Sequence, residues 1–309
     1  MTSLRCISCK GENLCKLHKY RTMTKAEAKF FRDGYLYQCA ACQLIQLFPR
    51  PSEAQLVEFY QSSYRDENDA DAWEQASRSE LASGAHTGLV GLLRQYAPAP
   101  RIVLDVGAGV GNHSRSAQAA FPHAQMWCVE PGDVFSSRLR AAGLRTIKKP
   151  WPEAAQDFRH KADAVILSHV LEHVLNPPAF VETLVNVMAP GGWLALEVPN
   201  DPDFQVHAAD HSPHISFFTQ TSLRALLSKF GKVVFVDTAA PPILAGCCPR
   251  AYSDDPRDPR QAQVTVRSYC IEAGARSRGK QIRRRRAPSN SCHRENQFDL
   301  GQGRPLSKP

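Results

Sequence analysis

The sequence lacks the long apolar runs that membrane proteins carry. No stretch approaches the roughly 18 consecutive apolar residues that a membrane-spanning helix needs, and the first residues, MTSLRCISCKGENLCK, lack the apolar segment of a secretory signal. We therefore expect a cytoplasmic protein with no membrane partner. With 309 residues, of which 43% are hydrophobic, the chain can bury a core as one large domain or as a medium domain with a smaller companion.

An excess of positive charge is also missing from most of the chain, although the formal net charge is +8. Residues 1–248 contain 24 Lys and Arg against 24 Asp and Glu, whereas residues 249–309 contain 14 against 6. The segment 249–309 is polar and has little apolar periodicity, which predicts a disordered tail. Within it, Val264–Ile271 alternates as a last strand would, and Arg283–Arg286 could bind phosphates. We favour the interpretation that residues 249–309 are a solvated extension without function. Such an extension could also arise from translation out of frame.

Cysteine is not scarce, and four of the ten cysteines form two C-x-x-C pairs with 29 residues between them. The pairs are Cys6 with Cys9 and Cys39 with Cys42. Each pair makes a tight turn on which two thiolates converge, and two such turns supply the four sulfur ligands of a tetrahedral zinc site. Because residues 31–38 and 44–48 have the composition of short strands, residues 1–50 are predicted to form a small zinc-ribbon-like subdomain.

A closed set of four cysteines leaves no open coordination position, so the predicted zinc would be structural. The alternatives are four thiols that pack as small hydrophobic side chains, or a redox pair. Cys15 and His18 lie nearby and could substitute as ligands, although their spacing is poorer. Residues 51–97 are predicted to form a helical connector, with helices at Ser52–Tyr60 and Leu81–Tyr96.

Between residues 98 and 248, short apolar strands alternate with helices of about ten residues. The strands are predicted at Ile102–Val106, Gln125–Glu130, Ala164–Leu167, Trp193–Val198 and Val233–Val236. Helices are predicted at Val134–Ala142, Pro178–Met188 and Thr221–Phe230. The alternation indicates βαβ units, so the predicted fold is α/β, with a Rossmann-like, doubly wound and mostly parallel sheet that binds ligands at the carboxyl ends of its strands.

A glycine-rich turn follows the first of these strands. Asp105–Gly111 reads D-x-G-x-G-x-G, and glycines at a strand-to-helix turn let a ligand approach the backbone closely. A tight turn that holds no ligand is the alternative. A dinucleotide fingerprint would place a small residue at Asn112, which disfavours NAD. Glu130 ends the second strand, where a carboxylate can accept hydrogen bonds from both hydroxyls of a ribose; otherwise it is an exposed charge.

Four segments resemble, in order, the successive motifs of class I S-adenosylmethionine-dependent methyltransferases. They are LDVGAGVGNHS, VEP, DAVILSHVLEHV and APGGWLALEVPN. The resemblance implies S-adenosylmethionine as cofactor and a set of residues that bind it: Asp105, Gly107, Gly109, Gly111, Glu130 and Ser168. The glycines would hold the methionine portion and Glu130 the ribose, while Ser168 and His169 would line the methyl-transfer site.

The resemblance extends to the N-terminal region. The C-x-x-C pairs followed by LFPRPSEAQLVEFYQSSY are similar to a methyltransferase subgroup that includes bacterial deoxysugar C-methyltransferases. In that subgroup a segment like HEHLSYFS carries a catalytic histidine, and the matching segment here is His211–Phe218. His214 falls on the histidine, whereas Pro213 replaces the glutamate beside it. The subgroup also carries a long C-terminal domain, for which the tail is too short.

Two functions are consistent with these observations. The first is an S-adenosylmethionine-dependent methyltransferase that acts on a small-molecule acceptor, such as a sugar, a nucleotide-sugar or another secondary or cell-envelope metabolite. His214 and His169 are the candidate catalytic bases, and His173 is expected to pack locally. The second is an RNA-associated methyltransferase or a nucleic-acid-binding protein that uses the zinc ribbon and the Arg-rich tail. The electrically balanced body favours the first.

Residues 169–173 also match H-x-x-E-H, the inverted zinc-peptidase motif. That motif lies within a long helix and needs a distant third ligand. In this sequence it directly follows a parallel strand, and Pro177 and Pro178 come soon after it. We therefore reject the peptidase interpretation.

Overall fold

A computed structural model describes most of the first 249 residues. The described ranges are 4–22, 28–31, 34–62, 71, 75, 87–199, 213–237 and 243–249. The described strands are β1 (Leu14–Lys19), β2 (Tyr35–Cys39), β3 (Ile45–Phe48), β4 (Ile102–Val106), β5 (Gln125–Val129), β6 (Arg145–Ile147), β7 (Ala162–Ser168), β8 (Met188–Val198), β9 (Ser216–Phe217), β10 (Gly231–Asp237) and β11 (Ile243–Pro249). The α-helices are α1 (Ala28–Phe31), α2 (Glu53–Ser62), α3 (Thr87–Tyr96), α4 (Asn112–Ala120), α5 (Asp133–Ala141), α6 (Trp151–Ala154), α7 (Pro177–Val187) and α8 (Gln220–Leu227).

The larger sheet has seven strands in the order β10-β11-β8-β7-β4-β5-β6. The five strands from β8 to β6 are mutually parallel, and β11 and β10 add to them in antiparallel fashion. Val106 pairs with Val129 of β5 and with Leu167 of β7, so these parallel strands end level with one another. The predicted α/β fold with a mostly parallel, Rossmann-like sheet is confirmed.

Successive side chains of the central strands point to opposite faces of the larger sheet and pack into two hydrophobic cores, one on each face. Leu104, Val165 and Leu196 lie in a core on one face, and their neighbours Val103 and Ile166 lie in a core on the other face, which α3 covers. Parallel strands buried on both faces need such continuous apolar runs. Within the described residues, no helix has the length and apolar character needed to cross a membrane.

The smaller sheet is antiparallel, with the order β1-β2-β3-β9. Its last strand comes from residues 216–217, far along the chain from the first three, and Ile45 pairs with Phe217 there. Cys6, Cys39 and Cys42 also pack in the same apolar cluster as Leu104 of the larger sheet. The N-terminal residues therefore share a core with the central sheet, and the domain boundaries at residues 50, 97 and 248 remain predictions.

Four of the described strands, β1, β6, β9 and β11, were not predicted from the sequence. β6 has only three residues, too few for a periodic pattern, and β11 contains a glycine and a proline, which are typical of loops. β11 forms because it lies between β10 and β8 and satisfies the backbone of both. The predicted strand Val264–Ile271, the rest of the predicted tail 249–309 beyond Pro249, and the first residues of the predicted helix Leu81–Tyr96 lie outside the described residues.

A partly buried arginine joins the two sheets. The Arg50 guanidinium donates hydrogen bonds to the carbonyl oxygens of Ile215 at 3.0 Å and Val174 at 2.9 Å, and to Ser216 Oγ at 3.3 Å. Burial lowers the pKa of Arg50 to about 10. Arg50 follows β3, so its side chain ties the smaller sheet to the segments that follow β7 and precede β9.

We expect Arg50→Met to reduce the free energy of unfolding by about 2–4 kcal/mol, because it leaves buried carbonyl groups without their charged donor. Urea unfolding followed by circular dichroism would measure the change. The matched control is Arg94→Met on the exposed side of α3, which should change stability by less than about 0.5 kcal/mol. Equal effects of the two substitutions would contradict the role given to Arg50.

Candidate functional site

Four carboxylates with little or no solvent exposure lie at or just beyond the carboxyl ends of the central parallel strands. Asp105 is in β4, Glu130 follows β5, Glu172 follows β7 and Glu197 is in β8. In open α/β sheets this edge is where ligands bind. A buried carboxylate needs hydrogen-bond donors or nearby cations, so the partners of each one define the site.

The glycine turn folds against the end of β5. The backbone N–H groups of Gly107 and Ala108 donate to the carbonyl oxygen of Val129, at 2.8 and 3.2 Å. Gly109 adopts a left-handed φ of 52°, and a Cβ added to it would meet nothing within 4 Å. At Gly109 the turn therefore exposes bare backbone to open space, which is the form of a ligand cradle, whereas a Cβ at Gly107 or Gly111 would meet the side chain of Val170 or Leu139 at 2.4 and 2.5 Å.

Glu130 closes the other side of this cradle. Its Oε2 accepts a hydrogen bond from the backbone N–H of Gly109 at 3.0 Å, and its Oε1 accepts one from Gly132 at 2.8 Å. These two bonds fix the carboxylate beside the open face of the turn. Each oxygen retains acceptor capacity, so Glu130 can also receive the hydroxyls of a bound ligand.

Asp105 faces the interior and is only 2% exposed. Its Oδ2 accepts a hydrogen bond from Ser114 Oγ at 2.5 Å, which links the end of β4 to the first turn of α4. Burial raises the pKa of Asp105, against the opposing effects of His113 and Ser114. The geometry makes Asp105 a support for the glycine turn, and its predicted direct role in cofactor binding remains a prediction.

His113 and Glu197 form a buried ion pair that the sequence reasoning missed. His113 Nε2 lies 3.0 Å from Glu197 Oε1 and 3.2 Å from Ser168 Oγ, and Ser168 Oγ donates to the same Glu197 oxygen at 2.5 Å. Burial opposes the charge on His113, but the hydrogen bond and charge of Glu197, with the charge of Asp105, raise its pKa. Burial likewise opposes the charge of Glu197, but the bond to His113 lowers its pKa.

The two predicted catalytic histidines lie around the fourth carboxylate, Glu172. His169 has its Nδ1 3.3 Å from Glu172 Oε1, is half exposed, and has a left-handed φ of 51°, which is uncommon for a residue with a Cβ. The rings of His214 and His173 are 4.8 Å apart, and His173 Nε2 is 3.9 Å from Glu172 Oε1. Burial opposes the charge of Glu172, but the three imidazoles around it lower its pKa to about 2.

Backbone hydrogen bonds hold the His214 segment against Glu172. The N–H of Ile215 donates to the carbonyl oxygen of Glu172 at 2.9 Å. The carbonyl oxygen of Ile215 accepts from Leu47 N–H at 3.1 Å as well as from Arg50, and Tyr20 Oη donates to the carbonyl oxygen of His214 at 2.7 Å. The smaller sheet thus positions His214, which is the physical link between the N-terminal region and the site.

The two C-x-x-C turns have the same local structure. Lys10 and Gln43, the residues that follow the two pairs, have φ of 67° and 64°. Each donates its N–H to the carbonyl oxygen of the first cysteine of its turn, at 2.9 Å for Cys6 and 2.8 Å for Cys39. This repeated turn directs both thiols of each pair to one side.

The four thiols meet between the two turns. Cys6 Sγ lies 3.6 Å from Cys42 Sγ, Cys9 Sγ lies 3.5 Å from Cys39 Sγ, and all four sulfur atoms lie within 4.8 Å of one another. A tetrahedral zinc ion with Zn–S bonds of about 2.3 Å requires S···S distances of about 3.8 Å. Hydrogen bonding between Cys6 and Cys42 lowers the pKa of Cys6 to about 4 and raises the pKa of Cys42. The donor set therefore fits zinc.

Comparison with known proteins identifies the family. Residues 78–234, just over half of the chain, match the family model described as methyltransferase domain. The chain belongs to the methyltransferase domain family. The matched residues include the glycine turn, Glu130, the pair His113–Glu197 and the segment His169–His173, so all four carboxylates are part of this methyltransferase domain.

Individual relatives are more distant. Trans-aconitate 2-methyltransferase of Mycobacterium sp. (strain KMS) is 31% identical over 124 residues, which cover 38% of this chain and 46% of the relative. The tRNA U34 carboxymethyltransferase of Idiomarina loihiensis is 34% identical over 107 residues, covering 31% and 32%. The chain spans about half the length of the first curated relatives it matches.

Among solved structures, an O-methyltransferase family protein from Burkholderia thailandensis superposes with a TM-score of 0.50 and 16% identity, covering 65% of this chain and 68% of that chain. At that identity the similarity shows the fold alone. The zinc ribbon and the likeness to deoxysugar C-methyltransferases remain predictions.

The residues that the sequence reasoning missed are His113, Glu172 and Glu197 as site residues. All three are within the quoted motifs, but their partners are distant along the chain. His113 pairs with Glu197, 84 residues away. Glu172 lies within 4.8 Å of His214, 42 residues away. No local spacing encodes such pairs. The signal that could have found them is the repeated placement of an acid at the end of a buried apolar strand.

The ion pair between His113 and Glu197 makes stability depend on pH. Folding raises the pKa of His113. Its contribution to the free energy of unfolding is therefore fully present below the pKa that it has in the unfolded chain, and is lost as the pH rises through its folded-state pKa. Folding lowers the pKa of Glu197, so the contribution of Glu197 to stability is lost only as the pH falls through its folded-state pKa. The groups that act on His113 are Glu197, Asp105 and His169.

We therefore expect His113→Gln, which keeps a hydrogen-bond donor but removes the charge, to destabilise the protein by about 1–3 kcal/mol near pH 6 and by less near pH 9. Urea unfolding at the two pH values would measure this. The matched control is His123→Gln, at an exposed histidine before β5, which should show no such difference between the two pH values. The same loss at both pH values would mean that the charge of His113 does not contribute.

Proposed function

We propose that the protein is an S-adenosylmethionine-dependent methyltransferase that acts on a small-molecule acceptor. The observation that carries the proposal is the open cradle of Gly109 beside the fixed carboxylate of Glu130. Family membership supports the reaction type, and the printed name of the Mycobacterium relative, a trans-aconitate methyltransferase, supports a small acceptor. The RNA alternative depended on the zinc ribbon together with the Arg-rich tail, and residues 250–309 of that tail lie outside the described residues.

The residues at the sheet edge fit S-adenosylmethionine. In this proposal the backbone at Gly107, Gly109 and Gly111 receives the methionine portion, because a Cβ at Gly109 would occupy open space that the ligand needs. Glu130 accepts the ribose hydroxyls, and Ser168 lies on the acceptor side with His113 and Glu197. The cofactor supplies a methyl group that is already activated, so the protein mainly supplies alignment and the exclusion of water.

An acceptor such as a hydroxyl must also lose a proton. His169 and His214 are the candidate bases in this proposal, since both lie next to Glu172 beyond the end of β7. His169 is half exposed and can meet a substrate from solvent. The anionic Glu172 would stabilise the imidazolium that forms when either histidine accepts a proton.

We further propose that the four cysteines bind a structural zinc ion. Their sulfur positions support this, and a closed set of four thiolates leaves no position for a substrate. Since Cys6, Cys39 and Cys42 pack with the central core, the ion would stabilise the smaller sheet and, through it, the position of His214.

We expect Glu130→Ala to abolish measurable S-adenosylmethionine binding in isothermal titration calorimetry, because the ribose loses its acceptor. Gly109→Ala should weaken binding at least about tenfold, since a methyl group would enter the cradle. The matched control is Gly143→Ala. Gly143 also has a left-handed φ, of 78°, and open space at its Cβ, but it lies between α5 and β6.

If Gly143→Ala weakens binding as much as Gly109→Ala does, the effect is backbone strain and the cradle assignment is wrong. If the folded wild-type chain binds no S-adenosylmethionine, the proposed function itself is wrong.

The zinc proposal predicts that Cys39→Ser removes one zinc ion per chain and lowers the unfolding temperature, because one of four ligands is lost. Elemental analysis and thermal unfolding would measure both effects. Cys15→Ser, on β1 and outside the cluster, is the control and should retain the metal. Unchanged zinc content in Cys39→Ser would contradict the assignment.

A further inference from the structure

A second group of metal-ligating side chains lies at the sheet edge. One ligand atom from each of Glu172, His173 and His214 lies within 4.8 Å of the other two. Two imidazoles and one carboxylate are a donor set that first-row transition ions bind readily, and three protein ligands leave positions open for water or a substrate. The three residues come from two segments that the fold brings together, since Ile215 N–H bonds to the carbonyl oxygen of Glu172.

The state of Glu172 points independently to a ligand. The residue is 1% exposed, and neither carboxylate oxygen accepts a well-aligned hydrogen bond from the described residues. The contacts to His169 and His173, at 3.3 and 3.9 Å, are ion pairs only when those histidines are protonated. A buried carboxylate without aligned donors is costly, and a cation bound at its oxygens would satisfy it.

His173 already has the orientation of a metal ligand. Its Nδ1 lies 3.4 Å from the carbonyl oxygen of Pro213. An N–H at Nδ1 that donates to this carbonyl places the lone pair of the neutral ring on Nε2, the atom facing Glu172. Metal-binding histidines commonly donate their other ring N–H to a carbonyl in this way, which fixes the ring and its tautomer.

We propose that Glu172, His173 and His214 bind a divalent first-row transition ion, such as Zn²⁺ or Co²⁺, with open coordination positions. The site is distinct from the four cysteines, which form a closed set. His169 is outside the three-residue set and half exposed. His214 then serves as a ligand, and His169 remains as the base next to the ion.

The proposed ion has a consequence for the acceptor, and this step rests on the proposed function. Val170, two residues before Glu172, packs so closely on the glycine turn that a Cβ at Gly107 would lie 2.4 Å from its Cγ2. The segment that carries Glu172 and His173 therefore begins against the glycine turn, and the proposal places the ion on the same edge of the sheet as the cofactor cradle. An acceptor hydroxyl bound to the ion would lose its proton to His169, and its oxygen would form the bond to the methyl carbon as the carbon–sulfur bond breaks and its electron pair goes to sulfur. The acceptor class is thus an oxygen nucleophile.

Cobalt binding to the full-length, metal-depleted chain tests the site directly. We expect the wild type to bind two Co²⁺ ions per chain by elemental analysis after dialysis. One gives thiolate-to-cobalt charge-transfer absorption and the other does not, because its ligands are nitrogen and oxygen. Glu172→Gln and His214→Ala should each bind only the first ion, and Cys39→Ser should lose the charge-transfer absorption.

The matched control is His123→Ala, an exposed histidine before β5, which should retain both ions. Retained charge-transfer absorption shows that each variant is folded. A wild type that binds only the thiolate-ligated ion overturns the proposal, as does a second ion that Glu172→Gln and His214→Ala both keep. Calorimetry on the same wild-type sample separates the two claims: if S-adenosylmethionine binds but no second ion does, the metal site is wrong and the proposed function stands.

Discussion

The site depends on one constraint, which is that four carboxylates are removed from solvent at a single edge of the sheet. Charged groups are costly to bury, so each must be compensated in place. Asp105 receives a hydroxyl, Glu130 receives two backbone N–H groups, Glu197 receives an imidazole and a hydroxyl, and Glu172 is surrounded by imidazoles. The groups that compensate Asp105, Glu130 and Glu197 then have fixed positions, so this part of the site is organised before any ligand binds. Glu172 has imidazoles around it, but neither of its oxygens accepts an aligned hydrogen bond from the described residues.

The groups that surround the four carboxylates divide this edge of the sheet into two regions. Backbone N–H donors hold the Glu130 carboxylate at one side of the cradle next to the glycine turn, an arrangement suited to the ribose and methionine portions of a cofactor. Imidazoles around Glu172 and Glu197 create a region where protons can be held and moved. Segment 213–217 completes this second region, and its position depends on β3, Arg50 and Tyr20. The N-terminal sheet is therefore part of the site's framework, which gives a physical reason for the structural zinc ion that we propose there.

The sequence was informative where the chemistry is local. The turn after β4 and the two C-x-x-C pairs are short, contiguous motifs, so their residue types and spacing predicted the local geometry. The central strands and helices followed from apolar periodicity. The strands β6 and β11 did not, because their pairing partners, and not their own composition, make them strands.

Contacts between distant segments were also beyond the sequence. The peptidase interpretation of the H-x-x-E-H spacing was rejected because that motif needs a long helix. In the structure Leu171–His173 is a short 3₁₀ turn after β7. What spacing could not show is that the fold brings His214 to Glu172 and His173. His173, expected only to pack locally, consequently joins the group of candidate ligands. Such pairs arise from how β9 joins β3, which is a property of the whole fold.

The central claim is that the edge formed by β4 and β5 binds S-adenosylmethionine. A crystal structure of the full-length protein grown with S-adenosylhomocysteine, the product that lacks the methyl group, tests it most directly. The account predicts that the ribose hydroxyls lie within hydrogen-bond distance of the Glu130 carboxylate and that the amino-acid portion lies against the backbone of residues 107–111. A ligand bound elsewhere, with Glu130 contacting only Gly109 and Gly132, would contradict it.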